Sequence, residues 1–511
     1  MTLLTGFLQA LSLPHGTPET SSSLVWALNG TLFVALAGVG VWLWRFARQK
    51  NVASANARLK RFLMSTPILG VLALGALFNV STAIYLGYEV PRDIVQDVVS
   101  AKLWWQGQPA FPMDMSEQVR ELMEHEPPPH SLARWSPALA TMEREAYNAL
   151  LNEPWAQAHP AGMTLMLALL VPWLHLRTIQ LLFSLLSLAS LIGTMWLLRK
   201  GLGVPATPRL FAALTLGLLG WFPFWMVLRN GQVGFFLTFL ITLAWYLLRR
   251  DRDVAAGVCI GVATALKLFP GLLLVYLLIR RRRAFWPGAL ATAGLLVASF
   301  GLVGWHNTQD YLRVTHFVQE FYKGYPANLS MLSVFAAMAP GAELRWHLST
   351  ILFPVFFLAV VGLLAWTVTR KSQDPRGSLT LDLEYSLFLT LLPVLSPVSW
   401  DHYLVVLTLP VVVLVSYLSK EDLFPGRESW TAVFVFVAAL LAVPRHFSNW
   451  IALSIPHLRH SIFLVKMPVI AVFGVFSLVW VLRMRLAQPT GATKSALPKK
   501  RIEPGERPKA A

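Results

Sequence analysis

Two carboxylates four residues apart, Asp93 and Asp97, follow directly on a long apolar run. On a helix both would lie on one side. Either could take a proton from a hydroxyl nucleophile; equally, they could be solvated interfacial acids balanced by Arg92 or Lys102, and spacing alone leaves both readings open. A second cluster, Ser396-Pro397-Val398-Ser399-Trp400-Asp401-His402-Tyr403, interrupts two apolar runs. Ser, Pro and Asp suit a turn and a Trp is ordinary at a membrane interface, whereas His402 could donate a hydrogen bond to a phosphate or a sugar. Lys267 stands within an apolar segment, where an ionisable side chain is costly and marks a candidate site unless it snorkels to the surface. Asn230-Gly231-Gln232 and the stretch from Tyr325 through Asn328 to Ser330 are polar turns that could simply cap helices.

These residues need a scaffold, and composition says which kind. Of 511 residues 55% are hydrophobic and only 14% charged, with a mean hydropathy of +0.55. A packed soluble core cannot hide so large an apolar share, so the expected fold is an all-α polytopic membrane protein. The net charge of +17 would suggest nucleic acid in a soluble protein. Here the basic residues sit between apolar runs, and the tail Lys499-Lys500-Arg501 reads as a juxtamembrane segment near anionic lipid. No nucleic-acid partner is expected. The single cysteine, Cys259, excludes an internal disulfide and any paired-Cys metal site.

A crossing needs ~20 apolar residues. Runs of about that length occupy 24–44, 67–88, 178–198, 210–228, 286–305, 348–369 and 467–482, with shorter ones at 233–248, 385–400, 403–418 and 430–444. About eleven crossings are expected, within a range of nine to thirteen. Residues 254–279, broken by Lys267 and Pro270 between two basic clusters, read as a re-entrant pair of half-helices with Lys267 near the tip. Residues 160–173 read as a second hairpin or a surface helix, and Trp221, Phe222, Phe224 and Trp225 as an interfacial belt.

Orientation follows from the Lys/Arg bias of the loops. Placing 45–61, 199–209, 249–253, 280–283, 370–384, 420–428 and 483–511 on the cytoplasmic side collects 29 of the 43 basic residues, while ten of the 26 acidic residues fall in 91–158 alone. The expected organisation is an N-terminal helix and basic loop over 1–65, a membrane catalytic domain over 66–482 whose large extracytoplasmic loop is 91–158, and a basic cytoplasmic tail over 483–511. The first 23 residues carry only Glu19 as a charge and lack the basic start of a signal peptide, so the first helix is expected to be retained.

Several spaced motifs then resemble the polyprenol-phosphate-sugar-dependent transferases of glycosyltransferase family 87. This is a GT-C type membrane family that includes bacterial mannosyltransferases acting on glycolipids. Asp93, the small pair Ser100-Ala101 and Gly107 match the family's early loop, which places Asp93 ahead of Asp97. His159-Pro160 resembles an aromatic-Pro step and Gly231-Gln232 the family's Gly-Gln turn. The stretch from Ala255 through Ala265-Leu266-Lys267-Leu268-Phe269-Pro270 to the run Arg280 to Arg283 matches most closely. Asn328-Leu329-Ser330 and Ser396-Pro397 through Trp400-Asp401-His402-Tyr403 resemble two further motifs. The chain departs at Gly234, where an Asn is common, at Leu329, and in the length of the stretch between Gly107 and His159.

The resemblance implies a hexosyltransferase, most simply a mannosyltransferase, in the plasma (inner) membrane with an extracytoplasmic active site. Its donor would be a polyprenyl-phosphate sugar, its acceptor a glycolipid or glycan, and its surroundings membrane lipid. Asp93 would be the general base and His402 the group that stabilises the departing phosphate. Asp97, Gln232, Lys267, Arg313, Asn328, Trp400 and Tyr403 would line the substrates. No cofactor and no metal are expected, because the lipid-linked sugar is itself the activated donor. Two other classes fit the apolar pattern: a transporter or flippase of lipid-linked sugar, and a non-catalytic scaffold for envelope assembly.

Overall fold

The computed structural model describes residues 65–125, 155–202, 208–325, 327–338, 342–372, 374, 378–418 and 466–487. Every regular element among these residues is a helix. Six stretches are long and apolar enough to cross a membrane, or seven if one bent pair counts as a single span, and four shorter apolar helices accompany them. The expected crossings at 24–44 and 430–444 lie outside the described residues, as does most of the basic tail.

Helix α1 (Thr66–Glu89) has Pro67 in its first turn, where a missing N–H costs nothing. The chain breaks at Pro91 and resumes as α2 (Asp93–Trp105), which buries Ile94, Val95, Val98, Val99 and Ala101. Ser100 Oγ donates to Ala110 O at 2.6 Å and lies 3.3 Å from Thr164 Oγ1, which explains why a small polar residue stands there. The stretch 91–158, expected as a loop, is thus largely helical where it is described. It continues into α3 (Ser116–His125), whose Val119, Leu122 and Met123 share one face and dock into the core. Asp114 accepts from the hydroxyl and the amide of Ser116 at 2.5 and 2.9 Å, and these bonds hold its carboxyl below the usual range.

Residues 160–173 contain one short helix, α4 (Ala161–Ala168), packed against α2, followed by α5 (Leu176–Leu202). The run 210–228, expected as one crossing, is two helices, α6 (Pro208–Leu219) and α7 (Phe222–Asn230), bent by 53°. The break falls where Gly220 and Trp221 leave helical geometry and Pro223 starts a new first turn. Asn79 Nδ2 bonds the freed Leu219 carbonyl at 2.6 Å. Phe224 and Trp225, expected in an interfacial belt, are buried, with Trp225 Nε1 donating to Thr82 Oγ1.

Next come α8 (Gly234–Leu248) and α9 (Asp253–Leu266), which ends at Lys267 in extended geometry. A 3-10 turn, Phe269–Gly271, leads to α10 (Leu272–Arg280) and then to α11 (Arg282–Val303). The expected pair of half-helices about Lys267 is therefore present as two short helices. Helices α9 and α11 approach closely because Gly257 and Gly261, one turn apart, face Gly288. A Cβ on Gly257 would stand 2.0 Å from Ala284 O, and one on Gly261 would stand 2.6 Å from Gly288 O. The remaining helices are α12 (Trp305–Lys323), α13 (Met331–Met338), α14 (Ala342–Thr369), α15 (Ser378–Leu395), α16 (Thr408–Leu418) and α17 (Met467–Arg485), with a 3-10 stretch, Asp401–Leu407, before α16.

Helix α15 is the centre of the bundle, and every residue from Thr380 to Leu395 is buried. It starts seven residues before the apolar run read from sequence and so carries Asp382 and Glu384 into the core. Arg249, Trp245 and Tyr417 bond Asp382. Arg280 and Arg483 bond Glu384 at 2.8 to 3.0 Å. Burying these acids is tolerable because each charge is paired and hydrogen-bonded. Helix α8 leads from the turn at Gln232 to Arg249 and α15 leads back from Asp382 to the segment at Ser396, so this network and the Ser396–His402 segment occupy opposite ends of the bundle.

Candidate active site

Asp93 opens α2, where the helix dipole favours an anion. Its Oδ2 accepts from Asn230 Nδ2 at 2.9 Å and from Gln232 Nε2 at 3.2 Å. Both amides come from the turn after α7. Gly231, between them, has φ +65, and a Cβ there would stand 2.3 Å from Gln180 Oε1 and 2.9 Å from Ile94 Cβ. A glycine is required on both counts, and it lets the residues on either side reach one carboxylate oxygen. Oδ1 of Asp93 makes no hydrogen bond among the described residues, and the side chain keeps 30% exposure.

Lys267 is buried and does not snorkel. Its Nζ donates to Gln232 Oε1 at 2.8 Å and lies 4.5 Å from the centre of the Tyr403 ring. An ammonium only donates, so Gln232 must turn its oxygen to Lys267 and its NH2 to Asp93. The order Lys267, Gln232, Asp93 is a directed chain of hydrogen bonds. Phe269 stacks on Tyr403 at 4.9 Å and so joins the break after α9 to the 3-10 stretch. His402, from that stretch, is 3% exposed, with Nδ1 at 4.0 Å from Asp93 Oδ2, and neither ring nitrogen has a hydrogen-bond partner.

Asp97 is one turn further along α2 and has different neighbours. Its side chain is 3% exposed, and Oδ1 accepts from His159 Nδ1 at 2.8 Å and from Gln157 Nε2. Gln157 Oε1 in turn accepts the His159 backbone N–H at 3.1 Å. The two acids thus differ in kind: Asp93 is open at one oxygen, and Asp97 is enclosed and committed to the segment before α4.

Residues 158–397 match the model of glycosyltransferase family 87. The match and the apolar helices together support a multi-pass membrane glycosyltransferase. No curated protein and no solved structure matches the chain. The matched stretch takes in Gln232, Lys267, Arg313 and Asn328; Asp93, Asp97, Trp400, His402 and Tyr403 lie outside it and join it in space.

Not every residue expected to line the substrates of this transferase stands in the centre. Arg313 is on the exposed side of α12, 69% exposed and paired with Asp310 at 3.3 Å. Asn328 is buried, and its amide is used up by backbone: it donates to Tyr322 O and Pro397 O and accepts from the Ser330 and Ser399 N–H groups at 3.0 Å. It acts as a clasp that holds the Ser396–Ser399 segment and thereby the approach to His402. Trp400 packs edge-on against Tyr322 and Tyr325. Asn230 and the Gln157–His159 pair are site residues that residue spacing did not single out. No group of three or more His, Cys, Asp or Glu side chains placed to hold a metal ion occurs among the described residues.

Proposed function

We propose that this transferase moves a hexose, mannose, from a polyprenyl-phosphate donor to a hydroxyl of a glycolipid or glycan acceptor at the extracytoplasmic face of the plasma membrane, with Asp93 as general base. The observation that carries the reading is the asymmetry of Asp93: Oδ2 is held by two amides, with His402 Nδ1 4.0 Å away, while Oδ1 makes no hydrogen bond among the described residues. Such a carboxylate has a fixed direction and one oxygen free to accept a proton. In the step itself the acceptor oxygen forms a bond to the sugar C1 and its proton passes to Asp93 Oδ1. The C1–O bond to the phosphate breaks with its electron pair on the phosphate, and the configuration at C1 inverts.

The departing phosphate gains negative charge and needs fixed donors. Lys267 and His402, on the Oδ2 side of Asp93, are the donors this reading gives it. The lipid-borne donor brings its own activated phosphate, so the chemistry asks for no resident cofactor. The extracytoplasmic assignment rests on charge: the Arg-rich ends of α8 and α10 lie away from Asp93, and basic ends stay in the cytoplasm. By the same argument the basic tail is cytoplasmic. The choice of mannose and of a lipid-linked donor rests on the motif resemblance.

The test is transfer of radiolabelled mannose from polyprenyl-phosphate mannose into membrane lipids by vesicles carrying the chain or its Asp93→Asn variant. Label with wild type and a loss of about 10³-fold or more in the variant is expected of a missing general base. Transfer that survives in Asp93→Asn removes Asp93 from the role.

A further inference from the structure

Asp97 has no part in the chemistry above, yet it is a buried carboxylate one turn from Asp93 with two side chains committed to it. Gln157 and His159 both bond its Oδ1, and Gln157 also anchors the His159 backbone. This places a single imidazole in one orientation. Asp97, an acceptor when ionised, requires the hydrogen on Nδ1, and Nε2 makes no hydrogen bond among the described residues. The side chain retains 13% exposure. His402 differs on each point: it is more deeply buried and no carboxylate is hydrogen-bonded to it.

Resting on the function proposed above, we infer that Asp97 and His159 are a second working pair of the transferase. Asp97 positions the ring, and the Nε2–H of the imidazolium donates to an oxygen of the departing lipid phosphate. The groups around the pair are Asp93 and Asp97 on α2, Lys267 at the end of α9, His402 and Tyr403 on the 3-10 stretch and Tyr311 on α12, with Arg92 beside Asp93. As C1–O cleaves and the acceptor proton reaches Asp93, one negative charge passes from Asp93 to the phosphate. Lys267 is bonded on the Asp93 side through Gln232. One Lys267 proton is already given to Gln232, so the destination of the charge gains from a further donor beside Lys267 and His402, and a carboxylate-held imidazolium is preset for it. His159 keeps its proton throughout, and the product phosphate leaves as a hydrogen-bonded anion.

The experiment uses the full chain in vesicles with polyprenyl-phosphate mannose as donor. Transfer rate against pH and inhibition by polyprenyl phosphate are measured for wild type, His159→Phe, His159→Gln and Asp97→Asn, with thermal melting to confirm folding. His159→Phe is expected to lower kcat by about 10²-fold and to weaken polyprenyl phosphate inhibition. His159→Gln retains a neutral donor, so it is expected to keep part of the rate and part of the polyprenyl phosphate inhibition that His159→Phe loses. Asp97→Asn should resemble it. Asp93→Asn should instead lose turnover while polyprenyl phosphate still binds. A folded Asp97→Asn with wild-type rate and phosphate affinity overturns the inference, as does a folded His159→Phe with both unchanged. In both cases the reading of Asp93 stands. Absence of both transfer and polyprenyl phosphate binding in wild type overturns the inference together with the function it rests on. Where His159→Phe does not fold, the rates and polyprenyl phosphate inhibition of His159→Gln and Asp97→Asn decide.

Discussion

Gln232→Glu changes one atom of the site and reverses its electrostatics. The amide donates to Asp93 Oδ2 at 3.2 Å and accepts from Lys267 at 2.8 Å. A glutamate keeps the bond from Lys267 but sets a negative charge against Asp93 at the same 3.2 Å. Two unit charges at that distance repel by about 5 kcal/mol at an effective dielectric constant of about 20. The 30% exposure of Asp93 and the charge of Lys267 offset part of this. Roughly 2–3 kcal/mol remains, which moves the loss of the pair's last proton up by about two pH units. A base that already holds a proton cannot take another, so the acid limb of sugar transfer should move up by about two pH units, with the rate recovering as the pH is raised and both acids ionise. The assay is the initial rate in vesicles between pH 6 and pH 9, with melting as the check on folding. A Gln232→Glu protein with the wild-type rate and pH profile would falsify the assignment of Asp93 as the base held by this amide.

Two further outcomes concern the frame around the site. Gly231→Ala forces a side chain into left-handed geometry and against Gln180; it should cost more than about 1 kcal/mol of stability and slow transfer by about tenfold, read from melting and initial rates together. Arg483→Met removes one fully buried partner of Glu384 while Arg280 stays at 2.9 Å. Its cost should fall near the lower end of about 3–5 kcal/mol for a broken buried pair, and adding Glu384→Gln should restore part of the loss in melting temperature. An unchanged midpoint in Arg483→Met would show that the network carries no net stability.

The membrane class, most long spans and the two key polar segments were legible because they rest on apolar run length and on polar residues that have no reason to stand among apolar ones. Lys267 is the plainest case: an ammonium in an apolar run needs a partner, although its sequence does not name Gln232. The bend at Gly220 was hidden by the continuous apolar run across it, and Pro223 was its only signal. The helical start at Ser378 was hidden for the opposite reason, since Asp382 and Glu384 looked like loop acids until their arginines from α8, α10 and α17 were in place. Asn230 and His159 were seen as a cap and a motif step, because their common target on α2 lies more than 60 residues away in the chain. Run length cannot report which side chains converge across such distances.

The buried acids of α15 also bear on how the protein is made. This helix has the lowest hydropathy of the six long spans, 1.4, and the largest buried share, 89%. Alone in lipid it would expose Asp382 and Glu384 without partners, a costly state for a nascent segment. Arg249 and Arg280 are synthesised before it, and Arg483 long after. Stable insertion of α15 therefore depends on helices already in the bilayer, and the last helix completes the neutralisation of Glu384 only when the chain is nearly finished. Truncation before residue 467 leaves Glu384 on Arg280 alone, a species that membrane quality control would meet as a half-satisfied acid in the central helix.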